Sequence, residues 1–286
     1  MIKNGEAIPE QPQPFNFSYA VFEEPNLCSR KTMEDFTISE SDLTKDQKWS
    51  LFCVLDGHGG SEVALYTKKN YPKLLKGLLL DNSNTESTES KISESIDKLS
   101  TMLFEKKNFN QGSTFCGILM NVIEGVYYTI NIGDSKVIKA SQENFDSCNL
   151  KVEPLTVEHK VSNKKELKRI KQIHDLIKNR LGGQLLVTRA LGDFKYAKYG
   201  LTSEPDICRH QITSEKYLII GSDGVWDVID HTGLNAILSL NKTHDSNHIA
   251  KIIVEKAVVK SMDNISLIVI SFIPQEGLTL LHEPKN

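Results

Sequence analysis

Residues 50–60 read S-L-F-C-V-L-D-G-H-G-G. Ser50–Leu55 is an apolar run without polar alternation, which marks a buried strand. The run stops at Asp56 and a cluster of glycines. Ser61 to Leu80 then takes up helical spacing, with an interruption expected at Pro72. Asp81 to Ser90 (D-N-S-N-T-E-S-T-E-S) is a polar loop. Ile92, Ile96, Leu99 and Leu103 follow at i, i+4, i+7 and i+11, one apolar helix face. Thr114–Met120, Val126–Ile132 and Lys136–Ala140 read as consecutive strands, and Ser141–Asn149 as a second polar loop. Lys160–Arg180 is basic, with Leu167, Ile170, Ile173 and Ile177 at helical spacing. Tyr217–Ile220 is a strand, Ile249, Ile252, Ile253 and Ala257 mark a helix, and Ile265–Phe272 is a closing strand. Helices come in pairs and strands in runs. That pattern predicts an α+β fold with helix-covered sheets, not an alternating βαβ series. No internal repeat or linker divides the chain. Residues 18–273 are expected to form one domain, after a proline-bearing arm (1–17) and before a short tail (274–286).

The chain has 286 residues, 39% hydrophobic and 25% charged, an ordinary globular composition. Mean hydropathy is −0.30 and the pI is ≈ 6.3. A net charge of −3 argues against a dedicated nucleic-acid binder, which carries a basic surplus. No apolar run approaches the roughly 20 residues that cross a bilayer. The polar N-terminus does not read as a secretory signal, and Ile2 excludes N-myristoylation. Cys28, Cys53, Cys116, Cys148 and Cys208 are widely spaced, with no C-x-x-C. They are expected to be reduced, mostly core thiols in a cytoplasmic or nuclear protein, and to hold no zinc.

The placement of aspartates carries the chemistry. Asp56, Asp134 and Asp223 each follow an apolar run, and Asp263 immediately precedes one. A single aspartate at a strand end is ordinarily a turn residue. Four that shared a sheet edge would repel one another, and burial unpaired would cost several kcal/mol each. A divalent cation compensates such a cluster, and all-oxygen donors favour Mg²⁺ or Mn²⁺. Arg30-Lys31-Thr32-Met33-Glu34-Asp35 adds two acids and a guanidinium. In isolation these are a solvated pair and its ion-pair partner; beside a metal cluster the planar Arg30 fork suits a phosphate. His58 reads either as a structural histidine or as a proton donor, since histidine titrates nearest neutral pH.

The ordered motifs R-x-x-M-E-D (30–35), D-G-H-G-G (56–60), G-S-T (112–114), N-I-G-D-S (131–135), L-T-x-x-H-K (155–160), V-T-R-A-L-G-D (187–193), E-P (204–205), S-D-G-V-W-D-V (222–228) and D-N-x-S (263–266) span nearly the whole chain. On them the sequence resembles the PP2C (PPM) family of metal-dependent serine/threonine protein phosphatases, in its small single-domain form. The resemblance implies two antiparallel sheets packed as a sandwich between helices, with a metal cleft at one end. It implies two Mg²⁺ or Mn²⁺ ions, with a third bound more weakly. Asp56, the Gly57 carbonyl, Asp223, Asp263 and Glu34 would belong to the main centre, and Asp134 and Asp227 to the third ion. Arg30 would bind phosphate, and His58 would be the general acid. Asp35 and Asn264 would orient the ligands. Paired ions roughly 3.5–4 Å apart lower a water's pKa, neutralise phosphate charge and align in-line attack.

The expected substrates are phosphorylated Ser/Thr proteins, met by a monomer without nucleic acid or membrane. The alternative is a catalytically silent scaffold, set against by the complete acid set. A C-x₅-R cysteine phosphatase is excluded, because none of the cysteines is followed by Arg at the sixth position. The basic stretch 160–180 reads as a solvated face or as an attractor for acidic substrates. Trp226 and Leu55 are expected to be packing residues, and Gly112-Ser113-Thr114 a strand entry.

Overall fold

Alternate residues of the opening strand face two different cores. In the computed structural model, which describes residues 15–81, 83, 85–106, 110–142, 150–174, 176–241 and 245–273, Phe52 and Val54 point one way and Leu51, Cys53 and Leu55 the other. In chain order the strands are β1 (Phe17–Glu24), β2 (Phe36–Glu40), β3 (Trp49–Leu55), β4 (Gly57–His58), β5 (Gly112–Ser113), β6 (Phe115–Asn121), β7 (Val126–Ile132), β8 (Lys136–Gln142), β9 (Leu150–Pro154), β10 (Leu191–Gly192), β11 (Asp206–Gln211), β12 (Glu215–Gly221) and β13 (Ile265–Phe272). The helices are α1 (Glu62–Leu80), α2 (Thr88–Glu105), α3 (Lys164–Lys171), α4 (Asp223–Trp226), α5 (His231–Leu240) and α6 (Ser246–Val258), with a 3₁₀ turn at Phe194–Tyr199.

Two five-stranded sheets form, in the orders β1-β13-β12-β8-β9 and β11-β7-β6-β3-β2, and the strand pairs within them are antiparallel. Phe52, Val54, Ile118, Met120, Leu218, Ile220, Ile268 and Ile270 fill the space between them. On the outer face of one sheet, α1 and α2 bury Tyr71, Leu75, Ile92, Ile96 and Leu99 against Leu51, Cys53 and Leu55. On the other, α5 and α6 bury Leu234, Ile237, Ile249 and Ile253 against Ile219, Leu267 and Val269. The result is the expected α+β sandwich in four layers, α-β-β-α. Each fully buried Leu or Ile in it contributes roughly 1.5–3 kcal/mol.

Several sequence expectations change. Helix α1 continues through Pro72. The ring removes one backbone donor, but Tyr71 is sealed against Phe115 and bonds Ser95, so packing holds the axis. The polar loop ends at Ser87, whose hydroxyl caps α2 by accepting from the Ser90 N–H. Of the described cysteines, Cys53 and Cys116 are buried but Cys28 and Cys208 are exposed. The basic helix expected over 160–180 is only Lys164–Lys171. Lys178 and Asn179 both take positive φ, at 52° and 57°. They turn a two-residue hairpin in which Ile177 and Arg180 exchange backbone bonds. The described part of the arm enters β1 at Phe17; residues 1–14, the 274–286 tail, Cys148 and most of the 141–149 loop lie outside the described residues.

Candidate metal and phosphate centre

Strand ends and short turns bring the expected residues to one end of the sandwich. Asp56 lies in the break between β3 and β4, where its N–H donates to Thr114 Oγ1 (3.1 Å) and its carbonyl accepts from the Thr114 N–H (2.9 Å). A side chain at Gly57 would collide with the Glu34 carbonyl, so glycine lets the 30–35 segment close over this turn. Asn264 latches that segment from the far end of the chain. Its Oδ1 accepts from the Glu34 N–H (2.9 Å), and its Nδ2 donates to the carbonyls of Pro25 (2.7 Å) and Thr32 (3.0 Å). Gly224 plays the same part for α4, since a side chain there would strike the Asn264 carbonyl. Asp223 is thereby set beside Asp263.

Arg30, Glu34, Asp56, Gly57, His58, Asp134, Asp223 and Asp263 line one cleft of ≈ 350 Å³. Thr114 lies in the floor, and Arg180, Gln184, Leu185, Leu186 and Val187 form a wall. Arg30 donates to Asp263, and the Lys160 ammonium reaches Asp134 at 3.2 Å. Asp35 lies buried beneath, and Asp227 is exposed at the end of α4, outside the cleft lining. Asp227 is nonetheless close enough for its charge to act on Asp223.

The electrostatics are those of crowded acids. Burial pushes Asp223 up to about 6, reinforced by Asp134, Asp263 and Asp227. Asp56 is raised well above the carboxylate range, by burial first and then by Asp35, Asp223, Asp134 and Asp263. Burial lifts Asp35 to about 7, although the Ser266 and Ser222 hydroxyls pull the other way. Asp35 Oδ2 is sealed from solvent without a hydrogen-bond partner. Arg30 and Lys160 serve Asp263 and Asp134, but Asp35, Asp56 and Asp223 have no cationic partner among the described ion pairs. The donors are all oxygens, so they fit a hard divalent cation. Among the described residues, no three of them already converge on one point.

Sequence reasoning missed two neighbours of the centre. Asp193 contacts His58, and Lys160 pairs with Asp134. Both residues stand in quoted motifs, but nothing in their spacing names the partner. Trp226 packs, its indole N–H donating to the Gly221 carbonyl at 2.8 Å. Leu55 is fully buried in the core beneath α1 and α2.

Residues 23–265 match the family model described as protein phosphatase 2C. The chain belongs to that family, and so to the protein phosphatases. It is 29% identical over 280 residues to Protein phosphatase 2C homolog 1 of Saccharomyces cerevisiae, covering 92% of this chain and 96% of that one. It is 32% identical over 257 residues to Probable protein phosphatase 2C 58 of Arabidopsis thaliana, covering 85% and 84%. Among solved structures, a serine-threonine phosphatase 2C from Toxoplasma gondii superposes with TM-score 0.71 at 21% identity, over 92% of this chain and 98% of that one. A sex-determining protein of C. elegans superposes with TM-score 0.76 at 23% identity, over 91% and 65%. At these identities the structural likeness speaks to the fold. No described helix is long and apolar enough to cross a membrane.

Proposed function

We propose that this chain hydrolyses phosphoserine and phosphothreonine monoesters on proteins, using two Mg²⁺ or Mn²⁺ ions, and that residues 18–273 act as one catalytic unit in signalling dephosphorylation. The observation that carries the reading is the shared cleft: Asp56, Asp223 and Asp263 line it together with Arg30 and His58.

Asp56, the Gly57 carbonyl, Asp223, Asp263 and Glu34 would hold the main pair of ions, and Asp134 with Asp227 a weaker third. Bound there, the ions supply charge neutralisation and acidify a coordinated water. Arg30 binds the phosphate oxygens through its fork, leaving Asp263 to do so. His58 gives a proton to the departing Ser or Thr oxygen. Asp35, buried and partly unpaired, and Asn264, through its three hydrogen bonds, hold the ligands in place.

The test is hydrolysis of a phosphothreonine peptide by the purified chain in Mn²⁺ and in EDTA. Turnover is expected in Mn²⁺ and loss of at least about 10³-fold in EDTA, within the range metal catalysis supplies. Undiminished turnover in EDTA would remove the metals from the reading. Absence of both turnover and calorimetric Mn²⁺ binding would favour a silent scaffold.

A further inference from the structure

The geometry points to Asp193 as the residue that positions His58 for proton donation, an inference that rests on the phosphatase reading above. A three-stranded ribbon in the order β10-β5-β4 brings the two side chains together. Its register places His58 opposite Gly112 on one side and Gly192 opposite Gly112 on the other. Asp193 follows at once, tied by its N–H to the Gln111 carbonyl at 2.8 Å. Its backbone is left-handed, with φ 49°, a conformation that aspartate tolerates better than most residues. The chain turns there into the 3₁₀ segment, and the side chain reaches back across β5 to His58.

Asp193 is 2% exposed, and its Oδ2 meets His58 Nε2. The two groups meet only because Gly112 has no side chain; a methyl there would collide with both Asp193 Oδ2 and His58 Nε2. An ionised carboxylate only accepts, so Nε2 is the donor of this bond. Nδ1 is then the ring nitrogen left to exchange a proton in the cleft that His58 lines. In hydrolysis a water oxygen forms the new bond to phosphorus as the bond to the Ser or Thr oxygen breaks. That oxygen takes the Nδ1 proton, and a proton released by the attacking water restores the ring. Asp193 is not among the residues that line the cleft; it fixes the ring's tautomer and direction.

The experiment compares leaving groups. In Asp193→Asn, kcat on a phosphothreonine peptide is expected to fall about 10–100-fold, with KM within about 3-fold, as for a general acid that is misdirected rather than removed. On p-nitrophenyl phosphate, whose phenolate departs without a proton, kcat should change less than about 3-fold. Gly112→Ala should give the same selective loss. Equal losses on both substrates, or none on the peptide, would overturn the assignment. A readout independent of turnover is the ¹⁵N spectrum of the histidine rings in the wild-type chain, expected to show His58 protonated at Nε2. A neutral ring protonated only at Nδ1 would overturn the proposal even if the variants fail to fold. A wild-type chain inactive on both substrates would instead sink the phosphatase reading.

Discussion

Asp223 is held among Asp134, Asp263 and Asp227, which together with burial push it up to about 6. A carboxylate so placed is retained at a cost to stability, since the folded state disfavours its charge. Replacing it by the isosteric, neutral Asn relieves that repulsion. Asp223→Asn is therefore expected to keep or raise the melting temperature of the metal-free protein while lowering turnover by at least about 10³-fold. Paired thermal melts and phosphopeptide assays decide it, and an active Asp223→Asn protein would remove that side chain from the ligand set. At this scale Asp56, Asp134, Asp223 and Asp263 were legible because each sits where an apolar run begins or ends, whereas Glu34, Asp35 and Asp227 were marked only by the motifs around them. Asp193 was not legible, because its role depends on a left-handed turn and on a partner 135 positions away.

Among the elements, those buried on both faces were the readable ones. Trp49–Leu55 and Ile265–Phe272 are apolar except for Ser50, Ser266 and Ser271, and burial covers every residue of both. Edge strands such as β2, β9 and β11 carry mixed polar sequences, and only pairing with an inner neighbour makes them strands. The region around α3 failed differently. Ile173 and Ile177 fit helical spacing but are 55% and 47% exposed. What holds this region is polar. Buried Glu166 accepts from Arg189 (2.7 Å), Arg169 (2.8 Å) and Thr188 (2.8 Å), and Arg189 also reaches Asp206 at 3.0 Å.

Burial opposes ionisation of Glu166, but those donors prevail and hold it at about 2, while His159 above all holds Asp206 at about 2. Both folded values lie below the ordinary carboxylate range. The network's stabilisation is thus complete above about pH 4.5 and lost as pH falls toward 2. Glu166→Ala should lower stability by about 1–3 kcal/mol, because Arg189, Arg169 and Thr188 lose a shared buried acceptor while Arg189 keeps Asp206. Limited proteolysis between residues 160 and 200 should accelerate, and the wild-type acid-dependent slope in thermal stability should flatten. A variant with wild-type stability at pH 7 would show that the network is dispensable.

Charge is unevenly distributed over the molecule. From Lys160 to Lys198 the sequence holds eleven Lys or Arg against three Asp or Glu, in a chain of net charge −3. Lys164, Lys165, Lys168, Lys171, Lys178, Arg180, Lys195 and Lys198 are exposed, and none forms an ion pair among the described residues. Arg180 also lines the cleft. A positive field beside a binding site raises the on-rate of acidic partners and is screened by salt. We expect kcat/KM for an acidic phosphopeptide to fall several-fold between about 0.05 and 0.3 M NaCl, with a neutral peptide little affected. Equal salt responses for the two peptides would return this surface to simple solvation.

The sheet order β1-β13-β12 has a consequence for biogenesis. The earliest described strand has its only partner in β13, and the Asn264 clasp that seats Glu34 lies next to it. A ribosome must therefore deliver the chain through β13 before β1 can dock. Truncated translation products that end before Ile265 would expose an unpaired β1, and those that end before Asp263 would also lack that cleft acid and the Asn264 clasp. The 30–35 segment is therefore seated late, when Asn264 and β13 reach it from more than 200 positions downstream.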